Sequence, residues 1–352
     1  MKINVKKLKN CKKIIEVKIP SERVKDTFDK VYNRLKKVAS VPGYRVGNAP
    51  RDLLEKHYSE TAKEEVIKRL IPESYKDILE EHKLDPMGYP DIKDVNLEMD
   101  GSFSYVASIE TKPGFSIKNY KGLKLKKKKL EVKEEDINKN LESLREMNAS
   151  KVPKEDSEEK EKVLPKLDDE FAKDIGFESL EKLKEEMRNN LKARLESEIR
   201  VDLEMQIINQ LVDSVDFDVP ESLIESEKTR LVKDAESRIA YMEAIQKKEA
   251  PDKKFEMSDK DKAELRENAS KQANRQVKAF FILDKIAQIE KIDLSQEDMD
   301  SKIEEMSRQY NRPKEEIEKY LQDSNMINEI AVNIRNKKVI DLLLKEANTK
   351  EV

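Results

Sequence analysis

Gly43-Tyr44-Arg45-Val46-Gly47-Asn48-Ala49-Pro50 sets an aromatic ring and a guanidinium between two glycines, and the flanks on both sides read as helix. Upstream, Val24, Phe28, Val31, Leu35 and Val38 recur at i, i+4, i+7 spacing, which predicts an amphipathic helix ended by Pro42 and Gly43. Downstream, Pro50 pushes Ala49 out of the α region while its own fixed φ suits a first helical turn. A second helix is therefore expected through Asp52, Leu53, Leu54 and Tyr58. The connection is short and basic, and its glycines allow sharp turns that present Tyr44 and Arg45 outward.

Around this pair of helices the first third of the chain is mixed α and β. Ile15, Val17 and Ile19 alternate as in a half-buried strand, and a further helix is expected through Val66, Leu70, Tyr75 and Leu79. Val95, Leu97 and Met99 lie opposite Phe103, Tyr105, Ala107 and Ile109 across Asp100-Gly101, a hairpin signal. Leu123 and Leu125 then alternate with lysines before the run Lys126-Lys127-Lys128-Lys129, read as a solvated edge strand in preference to a nucleic-acid ligand.

From Leu167 onward the pattern is helical. Leu180 and Leu183, then Met187, Leu191, Leu195, Ile199, Leu203, Ile207 and Leu211, form a stripe with a four-residue step. At about 100° per residue such a stripe winds round its helix, so that helix must meet different neighbours along its length. Pro220 with Glu221, Ser258 with Asp261, Ser295 with Asp298, and Pro313 with Glu315 mark further helix starts, and the last helix runs through Ile327, Ile330, Ile334, Val339 and Leu343. The expected fold is an α+β N-terminal domain, a small antiparallel sheet with helices, followed by an elongated all-α domain. The expected boundaries are 1–115, an extended linker over 116–166, and 167–352.

Charged residues make up 41% of the 352 residues, against about 25% in ordinary globular chains, which favours slender, exposed pieces. Residues 1–60 carry 16 Lys and Arg against 7 Asp and Glu, a net of +9, so the remainder must stand at −12 to reach the total of −3. The basic part suits a polyanionic surface such as RNA, or simply a soluble face. Cys11 is the only cysteine, and the first residues lack the apolar run of a signal peptide, so a cytosolic, reducing compartment is expected, with no membrane span.

Catalytic chemistry finds little footing. His57 and His82 have no second histidine or cysteine at ligand spacing, no phosphate-cradling glycine loop occurs, and the carboxylates lie in i, i+4 register with lysines. No metal, cofactor or catalytic residue is assigned. Binding remains. Eight of the eleven methionines lie from Met147 onward, among them Met205, Met242, Met299, Met306 and Met326. These are candidates for contacting apolar partners, with gap-filling between helices as the other reading.

The stretch Gly43 to Pro50 resembles G-F-R-x-G-x-x-P, the signature of the bacterial trigger factor, a chaperone at the ribosome tunnel exit. Tyr44 stands in place of phenylalanine and Val46 where lysine is common. Leu167-Asp168-Asp169-Glu170-Phe171-Ala172-Lys173-Asp174, followed by Gly176-Phe177, is similar to the entry of that family's C-terminal helical domain. The resemblance implies an ATP-independent chaperone that docks on the large ribosomal subunit, on protein and RNA, through Gly43, Tyr44, Arg45, Val46, Gly47 and Pro50. It implies nascent and unfolded polypeptides as partners and self-association as a homodimer off the ribosome. The family also carries a prolyl isomerase of the FK506-binding type, about a hundred residues. Here Val152 to Leu164 offers only a charged segment, a solvated linker or helical spacer, so the isomerase is expected to be missing and the chain not to be an enzyme. The alternative is a helical adaptor whose basic N-terminal domain binds RNA.

Overall fold

The computed structural model describes residues 1–97, 101–153, 160–249, 258–324 and 326–352. These form two compact units that do not follow chain order: Met1–Ser116 groups with Val215–Phe281, and Ile117–Ser214 groups with Ile282–Val352.

The first unit opens with strands β1 (Lys2–Lys7) and β2 (Lys12–Ile19), then helices α1 (Ser21–Val38) and α2 (Arg51–Glu81), then strands β3 (Asp91–Leu97) and β4 (Phe103–Glu110). All pairings are antiparallel in the order β1-β2-β4-β3. Alternation sorts the faces: Ile15, Val17 and Ile19 of β2 and Phe103, Tyr105, Ala107 and Ile109 of β4 turn inward. There they join Val24 and Val31 of α1 and Leu54, Val66, Leu70 and Ile78 of α2 in one core. The Tyr105 hydroxyl, buried among these side chains, is satisfied by Ser74 Oγ at 2.8 Å.

Several expectations are corrected here. Val38 is exposed, because α1 ends at that residue and leaves it outside the packed stripe. The two helices expected after Pro50 are one, α2, bent at Tyr58, whose φ of −126° departs from helical geometry. Val95 and Leu97 are exposed, since β3 is an edge strand whose register shifts between Lys93 and Asn96, where Asp94 adopts a φ of +51°. Leu97 pairs with Phe103, so the connection is longer than two residues; Met99 and Asp100 lie outside the described residues.

The second unit holds β5 (Lys124–Lys127), α3 (Glu134–Met147), β6 (Ser150–Pro153), β7 (Lys160–Val163), α4 (Asp169–Asp174) and α5 (Leu180–Ser214). Helix α6 (Glu221–Glu249) belongs to the first unit, and α7 (Asp259–Ile289) contributes residues to both. Helices α8 (Gln296–Tyr310), α9 (Lys314–Asp323) and α10 (Ile327–Glu346) and strand β8 (Asn348–Glu351) complete the second unit. Of the segment expected as a linker or helical spacer, residues 154–159 lie outside the described residues, and on either side of them β6 and β7 pair antiparallel, Ser150 opposite Val163 and Pro153 opposite Lys160.

Helix α5 meets a succession of neighbours along its length. Leu183 packs with Leu141 of α3 and Phe171 and Ala172 of α4, Arg200 pairs with Asp341 of α10, and Gln206 and Gln210 reach β5. The helix starts also hold: Ser295 and Asp298 form a reciprocal capping box on α8, and Ser258 and Asp261 do the same on α7. Among the described residues, no helix is long and apolar enough to cross a membrane.

Candidate functional site

Residues 41–48 fold as two successive β-turns. Tyr44 N–H donates to Val41 C=O and Asn48 N–H donates to Arg45 C=O, each at 3.0 Å. Gly43 and Gly47 occupy the third position of each turn with φ of +85° and +95°, the conformation a type II turn demands there, and Pro42 supplies the fixed φ of the second position in the first. The spacing of the two glycines is thus the spacing of two turns. A Cβ added at either would meet nothing within 4 Å, so backbone conformation, and not space, requires glycine.

Both ends of the loop are anchored. Ala39, Val41 and Ala49 are buried, while residues 42–46 and Asn48 are exposed. Tyr58, at the bend of α2, donates from its hydroxyl to Ser40 C=O at 2.8 Å and ties the incoming chain to the second helix. Arg51 lies 4.1 Å over the Tyr32 ring and donates to Asp29 at 2.9 Å and Glu55 at 2.5 Å, which clamps α1 against α2 beneath the loop. Neither role is visible in the sequence: Tyr58 stands there only as one position of the expected helix, and nothing in the local spacing singles out Arg51.

The contrast between the two arginines is the useful feature of the site. Arg51 is consumed by structure, whereas the guanidinium of Arg45, beside exposed Tyr44 and Val46, has no hydrogen-bond or ion-pair partner among the described residues. Residues 30–50 hold five Lys and Arg and no Asp or Glu, so the potential around the tip is positive. An aromatic ring and an unneutralised guanidinium on a propped loop can stack against and pair with an acidic or phosphate-bearing surface.

The candidate methionines divide. Met205 on α5 and Met242 on α6 are 55% and 67% exposed. Met299, Met306 and Met326 are partly buried against Ile303, Ile317, Leu321 and Ile330, where they fill a small helical core. Among the described residues no group of His, Cys, Asp and Glu could hold a metal ion.

The family model described as bacterial trigger factor protein matches residues 1–144, and the one described as bacterial trigger factor protein C-terminus matches residues 179–345. The chain belongs to the trigger factor family. Trigger factor of Geotalea daltonii is 26% identical over 437 aligned positions that cover all of this chain and 98% of the relative. Trigger factor of Aquifex aeolicus is likewise 26% identical, over 97% of this chain and 86% of its own. A solved structure of a trigger factor chaperone, reported for promiscuous substrate recognition in folding and assembly activities, shares the fold with a TM-score of 0.57 at 19% identity over 98% of this chain. The two family models leave residues 145–178 unmatched. The 437 positions aligned with Geotalea daltonii against 352 residues leave at least 85 positions in total opposite gaps in this chain. Trigger factors are ribosome-associated chaperones, and this chain is one by family.

Proposed function

We propose that this chain is an ATP-independent, cytoplasmic chaperone that docks beside the polypeptide exit of the large ribosomal subunit through Gly43, Tyr44, Arg45, Val46, Gly47 and Pro50. The observation that carries the reading is the unpartnered Arg45 guanidinium on a loop whose tandem turns and Tyr58 prop hold it outside the packed core. Residues 1–115 form the docking part, 116–166 the connection where the isomerase of longer relatives is missing, and 167–352 the helical part that shelters nascent and unfolded chains. Met205 and Met242, exposed and conformationally adaptable, suit brief contact with many apolar segments; Met299, Met306 and Met326 contribute by shaping the helices beneath. Off the ribosome the chain self-associates as a homodimer.

The total of at least 85 aligned positions opposite gaps supports the absence of isomerase activity. Two assays test the proposal together. The intact chain is expected to suppress aggregation of several unrelated unfolded proteins without nucleotide, and to leave a proline-limited refolding reaction at its uncatalysed rate. Indifference to unfolded proteins would point to the adaptor reading; acceleration of the proline-limited step would restore the isomerase.

A further inference from the structure

Within the first unit, α6 begins without a cap of its own. Pro220 precedes it, and a pyrrolidine ring offers no oxygen to the free N–H groups of a first helical turn. The sheet supplies the acceptor instead. Glu110, the last residue of β4, accepts from Ser222 N–H at 3.3 and 3.2 Å through its two carboxylate oxygens, and from Ser222 Oγ, at the end of the helix where negative charge is favoured. Its partner across the β2–β4 ladder is Lys12, which pairs with Glu221 at 2.5 Å. Two cross-strand neighbours thus grip two consecutive residues of the helix start. Beside them, Asn10 N–H donates to Asp218 Oδ2 at 3.3 Å and Cys11 Sγ donates to Asp218 C=O at 3.1 Å. The rest of the seat is a small apolar cluster, in which Phe115 stacks on Phe217 with ring centroids 4.0 Å apart and Val219, Val277 and Phe281 are buried. The main core of the sheet with α1 and α2 is separate and is drawn from residues between Ile3 and Ile109.

We propose that this seat is a latch that opens and closes as a unit: the sheet part leaves α6 and returns to it with its own core intact, and the first turn of α6 is ordered only while Glu110 is in place. The polar contacts that close the seat are exposed and individually weak. The apolar cluster behind them is small beside the core on the sheet side, so the joint gives way before that core does. Because α6 carries no cap residue, the loss of Glu110 leaves its first N–H groups to water and lets that turn fray. Opening separates the motions of the Arg45 loop from those of α6. The chain also holds its own reporter. Cys11, the single cysteine, sits in the seat, where burial and then the carboxylates of Asp218 and Glu110 push its thiol pKa up and keep the reactive thiolate scarce until the latch opens.

The test uses the full chain and dithiodipyridine, a neutral disulfide. The Cys11 thiolate attacks it to form a mixed disulfide and releases thiopyridone, which is read by absorbance. The folded parent is expected to react more slowly than the urea-unfolded chain, and its rate to rise gently with urea well below the unfolding transition, the mark of an opening smaller than global unfolding. Glu221→Gln combined with Ser222→Ala removes two closing contacts and leaves Asp218 and Glu110 beside the thiol. This double variant is expected to react about tenfold faster, the scale of the hydrogen bonds lost. Glu225→Gln, one turn along α6 where Glu225 pairs with Lys228, is expected to react as the parent does. Hydrogen exchange reads the other half of the latch: the Ile224 amide, bonded to Pro220 C=O, is expected to lose protection in the double variant while amides of α2 around Leu70 keep theirs. A double variant with the parent's thiol rate would overturn the latch. So would a thiol rate that rises only with global unfolding, or protection lost equally in α2 and α6.

Discussion

The side-chain amide of Gln206 pairs with Lys126 as a neighbouring strand would: its Oε1 accepts from Lys126 N–H at 2.9 Å and its Nε2 donates to Lys126 C=O at 2.8 Å. One helical turn on, Gln210 donates to Lys124 C=O at 2.9 Å. Four residues of helix rise about 6 Å and two of strand about 6.6 Å, so glutamines at i and i+4 match alternate residues of β5. The other edge of β5 is paired in parallel with β8, and Leu125 between the two lysines is 1% exposed. Strand β5 is thus held on one side by a strand and on the other by a helix.

Replacing Gln206 with Leu removes both bonds and leaves the Lys126 peptide to water. The expected cost is about 1 kcal/mol, moderate because the site is partly solvated, read as a shift in the urea midpoint. Hydrogen exchange gives the sharper check. The Lys126 amide is expected to exchange faster in Gln206→Leu, and unchanged protection there would show that the glutamine does not act as a strand surrogate.

Gly47→Ala places a side chain at a φ of +95° with no steric obstacle nearby, so backbone strain alone decides the effect. The variant is expected to lose about 1–2 kcal/mol, measured by chemical denaturation. A neutral outcome would mean that the second turn is not kept in solution.

Arg51→Ala and Arg45→Ala form a matched pair. The first loses its stack on Tyr32 and its bonds to Asp29 and Glu55, and is expected to destabilise the chain by about 1 kcal/mol. The second removes an exposed guanidinium with no polar partner among the described residues and is expected to fall within about 0.5 kcal/mol of the parent. Equal losses would place Arg45 in the packed structure and not at a free tip.

What could be read from the residues follows the range of the forces involved. The α1–loop–α2 segment, the alternation of β2 and β4 and the capping of α8 rest on local spacing, and all were legible. Strands β5 and β8 pair across more than two hundred residues, and the charged, four-residue strands β6 and β7 carry no alternation to betray them. The exposed Val38 and Leu97 show the reverse case, in which local pattern is kept but the element ends, or lies on an edge, before the pattern can be used. In the loop, the residue types pointed to the tip. Its supports, Tyr58 and Arg51, act through contacts that only the folded chain supplies.

Asp298 carries the clearest acid dependence. Its carboxylate accepts from Lys338 Nζ and from Ser295 Oγ and N–H, at 2.7 and 2.9 Å for the last two, and these bonds lower its pKa from 3.8 to about 2. A depressed folded-state pKa stabilises above the unfolded value and loses that contribution as pH falls through the folded one. Asp298 is therefore expected to make stability decline between about pH 4 and pH 2, and Asp298→Asn to flatten that part of the curve. An identical acid limb in parent and variant would remove this carboxylate from the account.

Co-sedimentation with purified ribosomes at moderate salt tests the central claim most directly. The parent chain is expected in the ribosome pellet, with Arg45→Ala and Tyr44→Ala left in the supernatant despite native stability. Pelleting of both variants as efficiently as the parent would contradict the claim that this loop carries the protein to newly made chains.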